Sequence, residues 1–315
     1  MTGILGGFGG QLGKSLADKW LGLLALPGAL FLAVVAAAYA LGQSHALDVP
    51  RLVRQVTGWA HAPVVGTVGG QVVLLLAALA MSVVVGLVAR VLGSAIERVV
   101  LAAGWHSWPR LARAFARRGT EARRKRWDEA HRDYSARWAE AAQAMALDRE
   151  LDPEARHAAL RARTSIAVER PDRPTWSGDR INGVAVRLER DHSLDLALVW
   201  PYLWLLLPEQ ERTEITAART GMTRAAELGA WAVLFAPVIY LWWPAAIVVV
   251  VLGIVARGRT RTATDTYARL VEAAVRLYAR DLAQRLGIEC DGALPADAGN
   301  RFDELLNSAP PPEIS

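Results

Sequence analysis

The chain has 315 residues, 53% of them apolar, with a net charge of +5 and a mean hydropathy of +0.19. That apolar share exceeds the ~45–50% of an ordinary soluble domain. Cys290 is the single cysteine, which excludes a disulfide framework and any zinc site built on paired cysteines. Lysine occurs only at Lys14, Lys19 and Lys125, so arginine carries nearly all the positive charge. This skew is typical of a GC-rich bacterial genome.

Residues 1–19 read as a flexible leader. Its Gly13-Lys14-Ser15 resembles the end of a phosphate-binding loop. G-x-x-x-x-G-K-[ST] would need glycine at position 8, where Phe8 stands, and no strand precedes it. Residues 20–92 read as a pair of transmembrane helices. Residues 20–44 carry no charge, and ~20 apolar residues suffice to cross ~30 Å of hydrocarbon. Ala38-Tyr39-Ala40 fits a signal-peptidase site, but signal h-regions run only ~7–15 residues. The outer loop, 43–63, contains "DVPRLVRQVTGWA". There Asp48 is placed to cap a short helix and Pro50 to open it. Leu52, Val53 and Val56 would share a face resting on the membrane surface.

The second uncharged block is 64–89. Gly66 and Gly70 form a GxxxG pair, and Ser82 and Gly86 repeat the small-xxx-small spacing. These are candidate helix-packing residues, in this chain or in a homo-oligomer.

Residues 93–224 read as a cytoplasmic helical domain. From Pro109 to Glu150 the sequence is polar, rich in Ala, Arg and Glu and free of internal proline, which predicts a long helix. Its start, "RLARAFARRGTEARRKR", holds Arg110, Arg113, Arg117, Arg118, Arg123, Arg124, Lys125 and Arg126 against one acid. These are candidates for contact with anionic lipid headgroups, worth ~1 kcal/mol per basic residue near the surface, or with a cytoplasmic protein partner. A nucleic-acid partner ranks below both, since basic juxtamembrane loops are expected in any case. Asp152-Pro153-Glu154 starts a second helix ending before Pro171. Ser177 or Asp179 is placed to cap a third through Arg190. Residues 196–207 are apolar but too short to span, so they form a core segment or an interfacial one anchored by Trp200, Tyr202 and Trp204.

The third uncharged block, 228–256, sets the topology. As one helix it would reach ~43 Å, well beyond the hydrocarbon, and Pro237 and Pro244 interrupt it. Arg212, Arg219 and Arg224 precede it, and Arg257, Arg259 and Arg261 follow. Basic flanks stay inside, which favours a transmembrane hairpin over 225–256 turning at Trp242-Trp243-Pro244. Both termini are then cytoplasmic, in a bacterial plasma membrane. The alternative is a single crossing, three spans in all, with the C-terminus outside. Residues 257–287 continue as an amphipathic helix. Tyr267, Leu270, Val271, Ala274, Leu277, Tyr278 and Leu282 lie on its apolar stripe. Residues 288–315 read as a disordered tail. The fold class expected is all-α, integral membrane helices with a cytoplasmic helical domain.

"PTWSGDRING" (174–183) followed by "HSLDLALVWPYLWLLLP" (192–208) resembles a group of bacterial multi-span membrane proteins without an assigned activity. That group shows a P-T-x-x-G start, a G-[IL]-D step, W-P-x-L and a closing L-P. Here Ser193 stands in place of the glycine and Tyr202 in place of a common arginine. The resemblance implies a bacterial membrane location and transfers no site residue.

Motifs with chemistry fail on inspection. His131-Arg132-Asp133 resembles a kinase catalytic loop, but Trp138 stands where the asparagine belongs. Asp128/His131 and Glu154/His157 have di-iron spacing without an apolar bundle of further carboxylates. His106 falls between Trp105 and Trp108 at a membrane exit, and Glu227 sits at the edge of the third block, beside Arg224. No catalytic, cofactor or metal residue is assigned, and no cofactor is expected. The leading expectation is a non-enzymatic scaffold or interaction protein on the bilayer. The alternatives are a subunit of an oligomeric transporter or pore, and an interfacial lipid-acting enzyme using Asp179, Asp191, His192 and Asp195.

Overall fold

The computed structural model describes residues 26–61, 66–149, 153–288, 294–295 and 297–306. The leader, the Gly13-Lys14-Ser15 motif, Asp152, Cys290 and residues 307–315 lie outside the described residues. Among the described residues the protein is all-helical, with no strand and two helices long and apolar enough to cross a membrane. The helices are α1 (Leu26–Leu41), α2 (Val49–Ala60), α3 (Val68–Leu101), α4 (Arg110–Ala146), α5 (Pro153–Ile166), α6 (Trp176–His192), α7 (Leu196–Leu206), α8 (Glu209–Phe235), α9 (Ala245–Arg285) and α10 (Ala298–Leu306). Short 3-10 turns occupy Trp105–Ser107 and Ala236–Tyr240. The two candidate spans are Val68–Leu101 and Glu209–Tyr240.

Two compact units divide the chain. The first comprises Met1–Ile96 and Thr223–Gly258. Its core gathers Ala38, Phe235, Val238 and Ala245, with Phe31, Val35 and Trp231 packed against them. Phe31 meets Phe235 edge-on at 5.0 Å. Helices approach closely through small residues. A Cβ on Gly28 would collide with the Ser82 carbonyl. A Cβ on Gly93 would sit 3.3 Å from the Glu227 Cα. Ser82, Gly86, Ala89 and Gly93 are the buried residues of α3, one stripe of its surface.

α8 ends at Phe235 because Pro237 cannot donate to the ladder, and the 3-10 turn follows. The chain reverses at 241–244, and Pro244 precedes the first residue of α9. The reversal is tied to the segment after α1. Gln43 Nε2 donates to the Ile239 and Tyr240 carbonyls at 2.6 and 2.9 Å. Gln43 Oε1 accepts from the Trp243 amide, and the Trp242 indole donates to the Ala46 carbonyl. α2 is capped by Asp48, which accepts from the Arg51 amide, and carries Pro in its first turn. It buries nothing, and Val49, Val53 and Val56 share an exposed apolar face.

The second unit comprises Glu97–Met222 and Arg259–Ser315. Its core joins α6, α7, α9 and α10 through Val184, Leu188, Val199, Leu203, Val275 and Phe302. The long helix expected to Glu150 ends at Ala146, and α5 runs back along it. Trp127, His131, Tyr134 and Trp138 form one stripe of α4. Arg163 lies over Trp127 and Tyr134, and Arg156 over Trp138. In such cation–π contacts the guanidinium itself rests against the ring face.

Three details correct the sequence reading. The cap of α6 is Thr175, whose Oγ1 accepts from the Gly178 amide. Ser177 and Asp179 lie inside the helix. Leu277 is 71% exposed, because the buried stripe of α9 runs through Ala268, Val271, Val275, Ala279 and Leu282. Residues 298–306, expected to be disordered, form α10. Its Phe302 is fully buried, and Gly299 lets its backbone press against the Ser193 carbonyl.

Candidate functional site

The segment that carries the resemblance builds a clamp inside the second unit. The last carbonyls of α3 lack intrahelical partners, as at any helix C-terminus. Thr175 Oγ1 donates to the Val100 carbonyl at 2.5 Å, and Arg173 Nη1 to the Leu101 carbonyl at 3.2 Å. The cation also complements the negative end of the helix. Gly178 is required because a Cβ there would strike the Leu101 carbonyl. Threonine and glycine at 175 and 178 thus serve the docking of α6 onto the end of α3.

Asp179 lies next to this clamp with its side chain 4% exposed. It accepts from the amides of Asp172 and Arg173 at 2.8 and 2.7 Å and pairs with Arg123 at 2.5 Å. Arg123 also donates to the Arg173 and Ile166 carbonyls. Burial pushes the Asp179 carboxyl up, opposed by the two amides and by Arg123. Burial likewise pushes the Arg123 guanidinium down against the opposing pull of Asp179.

Three further ion pairs join α6 to α9 at one constant sequence separation of 85 residues: Arg180–Asp265, Arg187–Glu272 and Arg276–Asp191. A constant offset means the two helices run in parallel, in fixed register. Burial pushes Asp265 and Glu272 up, but Arg180 and Arg187, helped by Arg269 and Arg276, outweigh it and hold both below the usual carboxylate range.

The basic run divides in two. Arg123 is consumed by Asp179, and Arg124 bonds the Pro171 carbonyl and the Asp172 carboxylate. Arg110, Arg113, Arg117, Arg118, Lys125 and Arg126 remain exposed. Of these, Arg117 pairs with Glu121, Arg113 reaches the His106 carbonyl and Arg126 the Ala122 carbonyl. Between the first four arginines, Leu111 and Phe115 point outward, 79% and 70% exposed. Phe115 borders an apolar groove of about 510 Å³ with Val99, Trp108 and Pro174.

Of the helix-packing candidates, Ser82 and Gly86 are buried, Gly70 is half-buried, and Gly66 is exposed in the turn ahead of α3.

The residues weighed for catalysis do not converge. Asp191 is held by Arg276 and Arg190. Asp195 caps α7 by accepting from the Ala197 amide. His192 has a buried Nδ1 without a partner. Asp128 pairs with Arg170, His131 stacks on Trp127 at 4.7 Å, and His157 is exposed. Among the described residues no three His, Cys, Asp or Glu side chains are grouped to hold a metal.

Sequence reasoning missed Arg173 and Thr175. The signal was present in part: threonine directly before a helical run is a strong N-cap type. The ion-pair partners left none, because a separation of 85 residues has no local pattern. No family model matches the chain, and no curated protein or solved structure matches it either.

Proposed function

We propose that the protein is a multi-pass membrane protein acting as a non-enzymatic scaffold, presenting a basic helical domain to anionic lipid or to a protein partner. The observation that carries this reading is the state of α3. Only 17% of its most apolar eighteen-residue stretch is buried, whereas the core helix of a soluble protein hides such a surface. Val72, Val73, Leu75 and Leu76 stand open, and patches of that extent mark membrane or protein contact. Leu111 and Phe115 among Arg110, Arg113, Arg117 and Arg118 have the composition of an interfacial segment, with apolar side chains for the acyl boundary and arginines for headgroups. The carboxylates and histidines weighed for chemistry are occupied by arginines and helix caps or stand apart, which disfavours the enzyme reading.

In this reading 225–256 crosses twice and the domain following α3 is cytoplasmic, in a bacterial plasma membrane. The test is alkaline carbonate extraction of membranes, with trypsin added to intact spheroplasts. The protein is expected in the pellet and resistant at Arg149, the exposed residue after α4. Release into the supernatant ends the membrane reading, and external cleavage at Arg149 reverses the orientation. Vesicle flotation with Arg110, Arg113, Arg117 and Arg118 changed to Gln tests the lipid contact. Binding to phosphatidylglycerol vesicles should weaken, and unchanged binding removes it.

A further inference from the structure

We infer that α2 lies flat in the headgroup layer of the membrane, on the side where the chain reverses at 241–244, with its apolar face turned to the acyl chains. This deepens the membrane reading and rests on it. Val49, Val53, Val56 and Trp59 of α2 are 40% to 64% exposed. With about 3.6 residues per turn, positions 49, 53 and 56 fall within one narrow arc, and Arg51, Arg54 and Gly58 fall on the opposite side. Residues 49–60 hold no acid, and the Asp48 carboxylate is spent on the Arg51 amide. The helix therefore carries two cations on one side and branched apolar side chains on the other. That is the make-up of a segment seated about 5–10 Å into the headgroup boundary.

The fold of the first unit places that face at a membrane boundary. α2 follows α1 and precedes α3, whose large apolar side chains stand open. Its approach is fastened to the reversal: the Trp242 indole donates to the Ala46 carbonyl at 2.8 Å, and Gln43 bonds Ile239, Tyr240 and Trp243. The start of α2 and the reversal are thus held at one level. Tyr39, near the end of α1, and Tyr240 and Trp243, at the reversal, are exposed as well. Such rings favour the membrane–water interface. A second copy of the chain fits the face poorly. α2 has 12 residues. It is therefore about 18 Å long and about 10 Å across, far short of the ~800 Å² per partner of a stable dimer. A bilayer needs no such minimum, because it meets α2 together with the lipid-facing sides of its neighbours.

The experiment is spin-label accessibility in the full chain, reconstituted in vesicles of phosphatidylethanolamine and phosphatidylglycerol. Cys290→Ser removes the one native thiol. Val53→Cys, Val56→Cys, Arg54→Cys and Gly58→Cys, all at exposed positions, then carry a nitroxide one at a time. Leu75→Cys on α3 is the lipid reference. Oxygen partitions into acyl chains, and a water-soluble nickel chelate stays outside. The ratio of oxygen to nickel collisions should be about threefold or more higher at 53 and 56 than at 54 and 58, since only the first pair sits below the headgroups. Equal nickel contact at all four positions overturns the proposal. So does a pair at 53 and 56 closed to both reagents, which means that protein covers the face. If the label at 75 stays oxygen-rich in either case, the membrane reading survives. Nickel access at 75 as well overturns both.

Discussion

In the unit of Met1–Ile96 and Thr223–Gly258, helices approach closely at Gly28 against Ser82 and at Gly93 against Glu227, and Val72, Val73, Leu75 and Leu76 of α3 face outward. In the unit of Glu97–Met222 and Arg259–Ser315, Leu188, Leu203 and Phe302 are buried, and arginine–carboxylate pairs stitch α6 to α9 and α4. The second arrangement is the one water enforces: apolar volume inside, charge at the seams. The first has backbones in close approach through small residues, the packing that lipid-embedded helices use. One chain therefore carries two packing rules, and perturbations should separate them.

The largest effect is expected at the buried pair of the second unit. Asp179→Asn leaves Arg123 buried with no counter-charge and should cost about 3–5 kcal/mol, read as a lower thermal midpoint for the native tryptophan signal. Overpacking is the matching lesion in the first unit. Gly28→Val drives a branched side chain into the Ser82 carbonyl and should cost about 1–3 kcal/mol, measured by unfolding in detergent. Equal tolerance of Gly28→Val and Gly58→Val, the latter with open space around it, would remove the close-packing rule.

Acid offers a graded test. Asp265 and Glu272 have lowered pKa values, so their contribution is present above the unfolded pKa and is lost as pH falls through the folded one. The second unit should weaken below pH ~4. Asp179, whose carboxyl is raised, contributes with the opposite sign. Replacing Arg187 and Glu272 together by Leu should flatten part of the acid slope while costing little at neutral pH, since apolar replacement of a partly buried pair is often near neutral. An unchanged slope would show that the α6–α9 pairs carry none of it. The smallest effect is at Ser193, held at φ +52° as the left-handed cap of α6. Ser193→Gly should stabilise by about 1 kcal/mol, because glycine adopts that conformation without Cβ strain.

That last residue shows how far the sequence could be read. The position wants glycine because the backbone turns left-handed there, a fact visible only once α6 and α7 are placed. Helix existence was legible from composition and periodicity: Pro109 ahead of α4, Pro153 opening α5, Asp48 capping α2. Helix partners were not. Leu277 satisfied the periodicity of α9 but faces outward, because the stripe that is buried depends on which neighbours arrive. The basic run was legible as a run, yet its division into surface arginines and the buried Arg123 depends on Asp179, fifty-six residues later.

By itself the sequence determined that the chain is helical, that three long stretches carry no charge, and that its arginines cluster beside them. These are sums over neighbouring residues, and local spacing carries them. The tertiary structure alone decided that Thr175 and Arg173 close the end of α3, that α6 and α9 share a register of 85 residues, and that Phe302 completes the core. Each is a contact between distant segments, whose energy exists only after the chain has paid the entropy of bringing them together.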